Sequence, residues 1–303
     1  MARAYCAGVD ALDALFAGLI DDAAVFPPGK ATVPDAVRLH REHRASWFAP
    51  LIGPLVVPDT ELAEVSRSVT VAGDGREPGE DLAVSVVIGG GAGGLVALAR
   101  RDLPGVAVVA AEIGLRDLDD LAGNAGRVVA AAGELDPDEV TVFVEVPYGP
   151  GWVGAVEVIE AAGLHGKIRT GGLEPDAFPT ADQLAEQLSV LIEADLPFKA
   201  TAGLHRAWPN RVTGAQGRTL HQHGFLTLMM AIEALVDGAG TEAAVDLLQL
   251  DDPGRIYTAM QGWDVAAATR VRRRFRSFGC CGVTEPVDDL VALGLLQDPQ
   301  ERR

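Results

Sequence analysis

The chain has 303 residues and a mass of 31.7 kDa, and with 48% hydrophobic and 22% charged residues it can bury a large core, which excludes a mainly disordered protein. Acidic residues outnumber basic ones by 43 to 25, and the formal net charge of −18 argues against nucleic acid or an anionic membrane surface as a partner. The N-terminus lacks a clean signal-peptide core, and no run of about 20 uncharged apolar residues follows it. The chain has three cysteines, two of which are adjacent. We therefore expect a cytoplasmic protein without a disulfide framework.

Short apolar runs alternate with longer segments of helical period, which is the pattern of a parallel sheet covered by helices. A helix over residues 11–20 leads the chain. The predicted strands then lie at residues 23–26, 53–57, 82–88, 106–113, 140–146, 167–170, 198–202 and 275–279. Eight strands that alternate with helices predict a (β/α)8 TIM barrel in a single α/β domain over residues 1–303, with a doubly wound open sheet as the alternative.

The segment 204–274, between the last two predicted strands, is expected to be an insertion that is mostly helical. Its first part, 204–224, is polar and is predicted to be a loop, and a helix follows over 225–236. Apolar residues within 244–256 recur at helical rather than alternating spacing, so we expect helix and not a strand there. Thr180 and Gln183 have capping-box spacing at the start of an earlier helix, and the closing helix is predicted over 286–296.

Lysine is the most informative residue type, because the chain has 22 arginines but only three lysines, Lys30, Lys167 and Lys199. In such a chain arginine replaces lysine wherever either residue suffices. The lysines that remain are therefore expected where the chemistry of an amine is needed. All three lysines lie in or after predicted strands, near the carboxyl ends, where (β/α)8 barrels carry their active sites.

Lys167 and Lys199 belong to neighbouring predicted strands, and their amines come close together if both point into the barrel. Like charges and a dry site lower the pKa of an amine, and a lysine with a pKa near neutral forms a Schiff base with a carbonyl. Glu112 and Glu145, on the fourth and fifth strands, would offset the remaining charge or move protons. Each of the four also has a structural interpretation as part of an ion-pair network.

Glycines and cations at the other strand ends suit an anionic group. Backbone N–H groups of Gly171-Gly172 and of residues 279–282 could face an anion, with arginine or histidine adding charge-assisted bonds. A tight loop explains the glycines equally well, and small side chains in a tight turn explain the cysteine pair better than a nucleophile does. The residues expected to bind substrate are Lys30, Arg116, Arg169, Thr170, Gly171, Gly172, Thr201, Gly203, His205, Gly279, Cys280 and Cys281.

Three patches of the chain, Lys167-Ile-Arg-Thr-Gly171, Lys199-Ala-Thr-Ala-Gly203 and Phe275–Cys281, resemble in order three strands of the deoxyribose-phosphate aldolase family. The resemblance implies that Lys167 is the Schiff-base lysine of a class I aldolase, that Lys199 is a second lysine that perturbs it, and that the last patch helps to bind a phosphate. The chain departs from that family at Arg169, where the family has a small polar residue, and at the cysteine pair, which replaces two serines. The insertion 204–274 is foreign to that family.

Histidine offers a competing chemistry, since His205, His221 and His223 all follow the seventh strand and could bind a divalent metal together with a glutamate. Their spacing matches no strong zinc pattern. The glycine run 89–94 lacks an acidic ribose partner at the expected offset, so no dinucleotide is expected. The arginines within 270–276 are interpreted as a solvated helix face, with a contact between copies of the chain, and so a homo-oligomer, as the alternative.

We interpret the chain as an aldolase-like lyase without cofactor or metal, which acts on a small anionic carbonyl compound through an imine. Two alternatives stay open. One is a metal-dependent lyase, isomerase or hydrolase that uses the three histidines and a glutamate, and the other is a non-catalytic barrel that binds a small anion.

Overall fold

Eight parallel strands close into a barrel in the computed structural model, which describes residues 11–71, 81–213 and 217–299. The barrel strands are β1 (Ile20–Asp22), β2 (Ile52–Pro58), β3 (Leu82–Ile88), β4 (Val106–Gly114), β5 (Thr141–Glu145), β6 (His165–Arg169), β7 (Phe198–Thr201) and β10 (Phe275–Cys280). They follow one another around the barrel in chain order, and β10 closes it by pairing with both β7 and β1. The predicted (β/α)8 barrel is confirmed, and the open sheet is excluded.

Helices cover the outside of the barrel and bury one face each against it. They are α1 (Ala11–Phe16), α2 (Val33–Arg44), α3 (Leu62–Val71), α4 (Ala92–Leu98), α5 (Leu121–Ala132), α6 (Trp152–Ala161), α7 (Ala181–Glu193), α8 (Phe225–Val236), α9 (Thr241–Leu248), α10 (Pro253–Gln261), α11 (Val265–Arg274) and α12 (Thr284–Ala292). The predicted capping box of α7 is present, because Thr180 accepts from the N–H of Gln183 and Gln183 accepts from the N–H of Thr180.

The insertion 204–274 is helical over most of its length, as predicted, with α8 over 225–236 and three helices in place of the rejected strand. Its first part is not all loop, however. A two-stranded antiparallel hairpin, β8 (Asn210–Thr213) and β9 (Thr219–Gln222), lies within the stretch predicted as loop. Its strands have four residues each and are mostly polar, so they carry no hydrophobic alternation by which a strand is found.

The first strand was predicted three residues too late. The apolar run 23–26 follows β1, which is Ile20-Asp21-Asp22, and the leading helix ends at Phe16 rather than at residue 20. Two adjacent carboxylates argue against a strand by propensity. Tertiary contacts override that preference here, because both aspartates are buried against nitrogen-bearing side chains, Lys199 on one side of the barrel wall and His43 on the other.

The register of the parallel strands decides which side chains enter the barrel lumen. Lys167 of β6 pairs directly with Lys199 of β7, and Glu145 of β5 pairs with Lys167. Gly166, one residue before Lys167, faces the helices, because a Cβ there would contact side chains of the outer layer such as Leu196. Alternation along β6 therefore turns Lys167 inward. Among the described residues, no helix is long and apolar enough to cross a bilayer.

Candidate active site

The two lysines that the sequence singles out are joined by one carboxylate in the barrel lumen. Oε1 of Glu112 lies 2.5 Å from Nζ of Lys199, and Oε2 of the same carboxylate lies 2.9 Å from Nζ of Lys167. Ser85 of β3 also donates a hydrogen bond to Oε1, at 2.7 Å. All four side chains are buried. The predicted proximity of the lysines therefore exists, but a shared anion separates their charges.

The network extends in both directions from this central carboxylate. On the deeper side, Lys199 also lies 2.5 Å from Oδ2 of Asp21, which accepts a hydrogen bond from Ser277 at 2.7 Å. On the other side, Lys167 lies 3.1 Å from Oε2 of Glu145, whose second oxygen accepts from Nε of Arg169 at 2.7 Å. We call these six charged side chains the lumen cluster: Asp21, Glu112, Glu145, Lys167, Lys199 and Arg169.

Accessibility rises along the lumen cluster toward the carboxyl end of the barrel. The side chain of Lys199 is 1% exposed and that of Lys167 is 4% exposed, whereas Glu145 and Arg169 reach 17% and 45%. A molecule that enters from the carboxyl end therefore meets Arg169 and Glu145 first and Lys167 next. Lys199 lies behind them.

Burial and ion pairing act against each other on the titration of the cluster. Burial alone would lower the pKa of the Lys199 amine, but the carboxylates of Asp21 and Glu112 outweigh it and raise that pKa. Burial alone would raise the pKa of Glu112, but Lys167 and Lys199 hold it well below its usual range, and Lys167 and Arg169 do the same for Glu145. Lys199 therefore stays protonated. This differs from the prediction that a neighbouring lysine and a dry site lower the pKa of each amine.

Asp21 behaves differently from the other two carboxylates. Burial raises the pKa of Asp21, and Lys199 and Ser277 only partly offset that effect. The raised pKa makes Asp21 the carboxyl group of the lumen cluster that takes up a proton most readily. Of the two amines in the cluster, Lys167 is the more exposed.

Several residues of this network were not identified from the sequence. Asp21 was missed because the first strand was misplaced, and Ser85 and Ser277 carry no signal beyond lying inside strands. Gly53 of β2 is required for a packing reason, since a Cβ at that position would lie 2.2 Å from Oδ1 of Asp21. Asp21-Asp22, an acidic pair before an apolar run, was the available signal for the missing anion.

A second polar group lies at the carboxyl end of the barrel, around His205. Oε2 of Glu285 lies 2.5 Å from Nδ1 of His205, and Sγ of Cys281 lies 3.7 Å from Nε2 of the same ring. Sγ of Cys280 also approaches Nδ1, at 3.7 Å, and donates to the carbonyl of Gly282 at 3.4 Å. Hydrogen bonds with Cys280 and Cys281 raise the pKa of His205 to about 11, whereas burial raises the pKa of the Cys280 thiol.

The loop that carries His205 is fixed by its neighbour in sequence. Nε and Nη2 of Arg206 contact the two carboxylate oxygens of Asp289 at 2.9 and 2.6 Å, and Oδ2 of Asp289 also accepts from the N–H of Ala207 at 2.8 Å. Asp289 is buried on α12. A two-pronged contact of this kind restricts rotation as well as position, so α12 and the His205 loop form one unit.

The metal site proposed from sequence is not assembled. His221 lies on β9 and is exposed, and His223 is held by the carbonyl of Pro179 at 2.9 Å, so they do not join His205 among the described residues. The donor atoms of His205, Cys280 and Glu285 do lie within 4.8 Å of one another. Their Nδ1–Oε2 distance of 2.5 Å is a hydrogen bond, however, and two ligands on one tetrahedral zinc would be about 3.3 Å apart, given bond lengths near 2 Å.

The glycines predicted to bind an anion have a close-packing role. A Cβ on Gly171 would lie 2.8 Å from Cα of Gly203, and Gly203 has a φ of +80° and would clash with the carbonyl of Thr170. Thr170 Oγ1 donates to the carbonyl of Ala202, so the ends of β6 and β7 are tied together. This is the tight-loop interpretation of these glycines.

The remaining predicted binding residues lie around the rim at different depths. Thr201 and Gly279 are paired in register and are partly buried. Lys30 and Arg116 are exposed and form no ion pair within the described ranges. Of the three lysines, only Lys167 and Lys199 are therefore brought together.

No protein-family model matches the chain, and no curated protein matches it significantly. The resemblance to deoxyribose-phosphate aldolase thus rests on the three strand patches and on the barrel fold.

Proposed function

We propose that the chain is a Schiff-base-forming lyase of aldolase-like mechanism that acts on a small anionic carbonyl compound. The observation that carries the proposal is the pairing of Lys167 and Lys199 in register, with one oxygen of Glu112 on each amine. Side chains in the interior of such barrels are usually branched and apolar, and buried ion networks are costly to build. A lumen lined by two lysines and three carboxylates is therefore a candidate active site.

Lys167 is the proposed nucleophile, because it is closer to the entrance than Lys199 and has a carboxylate on either side. Its neutral amine would attack the carbonyl carbon, and the oxygen would leave as water as the imine forms. Glu145, which contacts Lys167 and is partly exposed, is placed to accept the proton that the amine must lose. The resulting iminium would accept the electrons of the bond between its α and β carbons as that bond breaks, while the β-hydroxyl loses its proton and becomes the carbonyl of the first product. The enamine left on Lys167 would then take up a proton and be hydrolysed by water, which releases the second product and the free amine.

Lys199 is proposed to act through charge. It is held protonated by Asp21 and Glu112, so it keeps a positive charge in the lumen beside Lys167. Arg169, at the entrance, supplies a cation for the anionic group of the substrate, although Glu145 already accepts one of its hydrogen bonds.

Borohydride trapping tests the proposal directly, because the chain has only three lysines. The protein is incubated with aldehydes, keto acids and sugar phosphates, reduced, and analysed by intact mass and peptide mapping. A reduced adduct on Lys167, with the exposed Lys30 unmodified, is expected. Lys167→Arg keeps the charge but cannot form an imine, so it should abolish the adduct. Labelling of Lys30 alone, or no adduct across the panel with folded protein, contradicts the proposal, and unchanged binding of an anion by Lys167→Arg then favours a non-catalytic barrel.

A further inference from the structure

A cysteine, a histidine and a glutamate lie in line at the carboxyl end of the barrel. The imidazole of His205 has the sulfur of Cys281 at its Nε2 and the carboxylate of Glu285 at its Nδ1. Within the described ranges, these three side chains share no hydrogen bond or ion pair with the lumen cluster. We propose that Cys281 is a nucleophilic thiol, with His205 as its base and Glu285 as the group that orients the ring, and that it accepts acyl groups from activated esters or thioesters.

The order of contacts around the ring is the first argument. A base can activate a nucleophile when one ring nitrogen faces it and the other is held by a third group, which fixes the orientation of the ring. Here the held nitrogen is Nδ1, 2.5 Å from Glu285, and the free side of the ring faces Cys281 at 3.7 Å. A sulfur at that distance is within hydrogen-bond reach.

The two adjacent cysteines differ in a way that selects one of them. Cys280 is 1% exposed and its thiol donates to the carbonyl of Gly282, whereas Cys281 is only partly buried. Cys280 also shares Nδ1 with Glu285, so it competes with the orienting carboxylate. Cys281 alone combines access from outside with an undivided contact to Nε2.

The parts are held by three different elements of the barrel. The contact between Arg206 and Asp289 fixes the loop of His205 on α12, and Glu285 belongs to the same helix. On the other side, the loop after β1 packs on Cys281, since a Cβ on Gly29 would lie 3.2 Å from Cβ of that cysteine. Preorganisation of this kind is what a catalytic group needs and a chance contact lacks.

The chemical step balances without a further reactant apart from water. The sulfur of Cys281 adds to the acyl carbon after its proton passes to His205, and the leaving alcohol or thiol takes that proton as the carbon–oxygen or carbon–sulfur bond breaks. Water then attacks the acyl-cysteine, again with His205 as base, and releases the carboxylic acid and the free thiol. No atom changes its oxidation state.

Alkylation of the wild-type protein by iodoacetamide at about pH 6 tests the activated thiol, because an ordinary thiol with a pKa of about 8.5 is almost fully protonated there. Cys281 is expected to react at least about tenfold faster than glutathione, and peptide mapping reports Cys6, Cys280 and Cys281 separately. Cys280→Ser should keep the fast reaction and Cys281→Ser should abolish it. His205→Gln should slow it by about tenfold or more, and Glu285→Gln should slow it less. Thermal unfolding of each variant checks that it is folded.

The acyl step is tested with p-nitrophenyl acetate. A burst of p-nitrophenolate and one acetyl group on Cys281 are expected, and both should disappear in Cys281→Ser. A rate at Cys281 equal to that of glutathione overturns the proposal, as does an acetyl group found only elsewhere. One tightly held zinc per chain that blocks alkylation until a chelator removes it would also overturn it, in favour of a metal site. None of these readouts depends on imine formation at Lys167, so the two proposals fail separately.

Discussion

Asp21 and Asp22 are neighbours on β1, yet they point to opposite sides of the barrel wall and contact different partners. Asp21 faces the lumen, where Lys199 serves both it and Glu112. Asp22 faces α2, where one of its oxygens contacts Nδ1 of His43 at 2.9 Å and Nδ1 of His40 at 3.2 Å. Both carboxylates are almost fully buried, so burial alone does not distinguish them.

Their titration differs because the balance between burial and the partners of each carboxylate differs. Burial raises the pKa of Asp21, and Lys199, which Asp21 shares with Glu112, and Ser277 only partly offset that effect. Burial acts in the same direction on Asp22, but hydrogen bonds from His40 and His43 outweigh it and lower the pKa. In the lumen, therefore, the partners of Asp21 do not outweigh its burial, whereas on the outer face the partners of Asp22 do. A carboxylate in the lumen can therefore take up a proton, which suits chemistry, and the outer carboxylate serves the fold.

Of the substitutions considered, the loss of the central carboxylate of the lumen cluster, Glu112, should reduce the free energy of unfolding the most. Glu112→Gln leaves Lys167 and Lys199 buried with less negative charge between them, and breaking a buried ion pair typically costs about 3–5 kcal/mol. Urea unfolding at neutral pH measures the loss. The matched control is Glu160→Gln on the exposed side of α6, where a change within about 0.5 kcal/mol is expected. Equal effects of the two substitutions would show that the lumen cluster adds no net stability.

The two aspartates should respond to pH with opposite sign. The lowered pKa of Asp22 gives stability above its unfolded value of 3.8 that is lost as pH falls through the folded value. The raised pKa of Asp21 means that its folded form binds more protons, so its contribution decreases as pH rises above 3.8. Between about pH 3 and 6, Asp22→Asn should lose stability relative to wild type as pH rises to about 4 and should stay about 1.5–3 kcal/mol less stable above it, whereas Asp21→Asn should gain stability relative to wild type as pH rises above about 4. Urea unfolding across that range measures both slopes, and parallel slopes contradict the comparison.

A substitution at Gly53 tests how closely the side chain of Asp21 is packed. Gly53→Ala places a methyl group 2.2 Å from Oδ1 of Asp21, and overpacking of a buried site typically costs about 1–3 kcal/mol. Gly126→Ala is the matched control, because Gly126 lies on α5 with no atom within 4 Å of the added Cβ and alanine favours a helix by about 0.5–1 kcal/mol. Differential scanning calorimetry should therefore show a lower Tm for the first variant and a higher Tm for the second. A stabilised Gly53→Ala would mean that Asp21 has room to move.

The smallest expected difference in stability is between substitutions of two serines whose hydroxyls donate hydrogen bonds of the same length. Ser85 donates to the ionised Glu112 at 2.7 Å, and Ser277 donates to Asp21 at 2.7 Å. Hydrogen bonds to charged groups contribute about 1.5–3 kcal/mol and neutral ones about 0.5–1.5 kcal/mol. Because the pKa of Asp21 is raised and that of Glu112 is lowered, a fall in pH should neutralise the acceptor of Ser277 before that of Ser85. At the acid end of a pH series of urea unfolding, Ser85→Ala should therefore destabilise the protein by about 1 kcal/mol more than Ser277→Ala. The reverse order would assign the charge to Asp21.

The barrel could be predicted from the sequence because its signal is repeated. Eight apolar runs separated by segments of helical period leave few folds open, and most strand limits were found to within one or two residues. The lysine pair was found because lysine is rare in this chain, and a rare residue in two adjacent strands stands out. The hairpin and β1 were missed because both lack the apolar alternation on which strand prediction depends.

The anionic side of the site was only half predictable. Glu112 and Glu145 lie in apolar strands and are conspicuous. Asp21 and Glu285 are two of 43 acidic residues, and the only local signal for either is the acidic pair Asp21-Asp22 before an apolar run. Their roles depend on which partner the barrel brings to them. His205 and Cys281 were recognised singly as candidates, yet their common contact depends on α12 and β10 meeting the loop after β7, which is information about tertiary structure.

The lumen cluster also bears on the order in which the barrel is assembled. Asp21 and its partners Lys199 and Ser277 are separated by 178 and 256 residues, so these contacts close the first strand onto the last two. An incomplete barrel without β1 would expose Lys199 to water or leave it with Glu112 alone. Contacts of such long sequence separation form late and slowly. The contacts of Asp21 with Lys199 and Ser277 are therefore made only when the ring is complete, so a chain truncated before β10 lacks the hydroxyl that contacts Asp21 and the strand that seals the barrel.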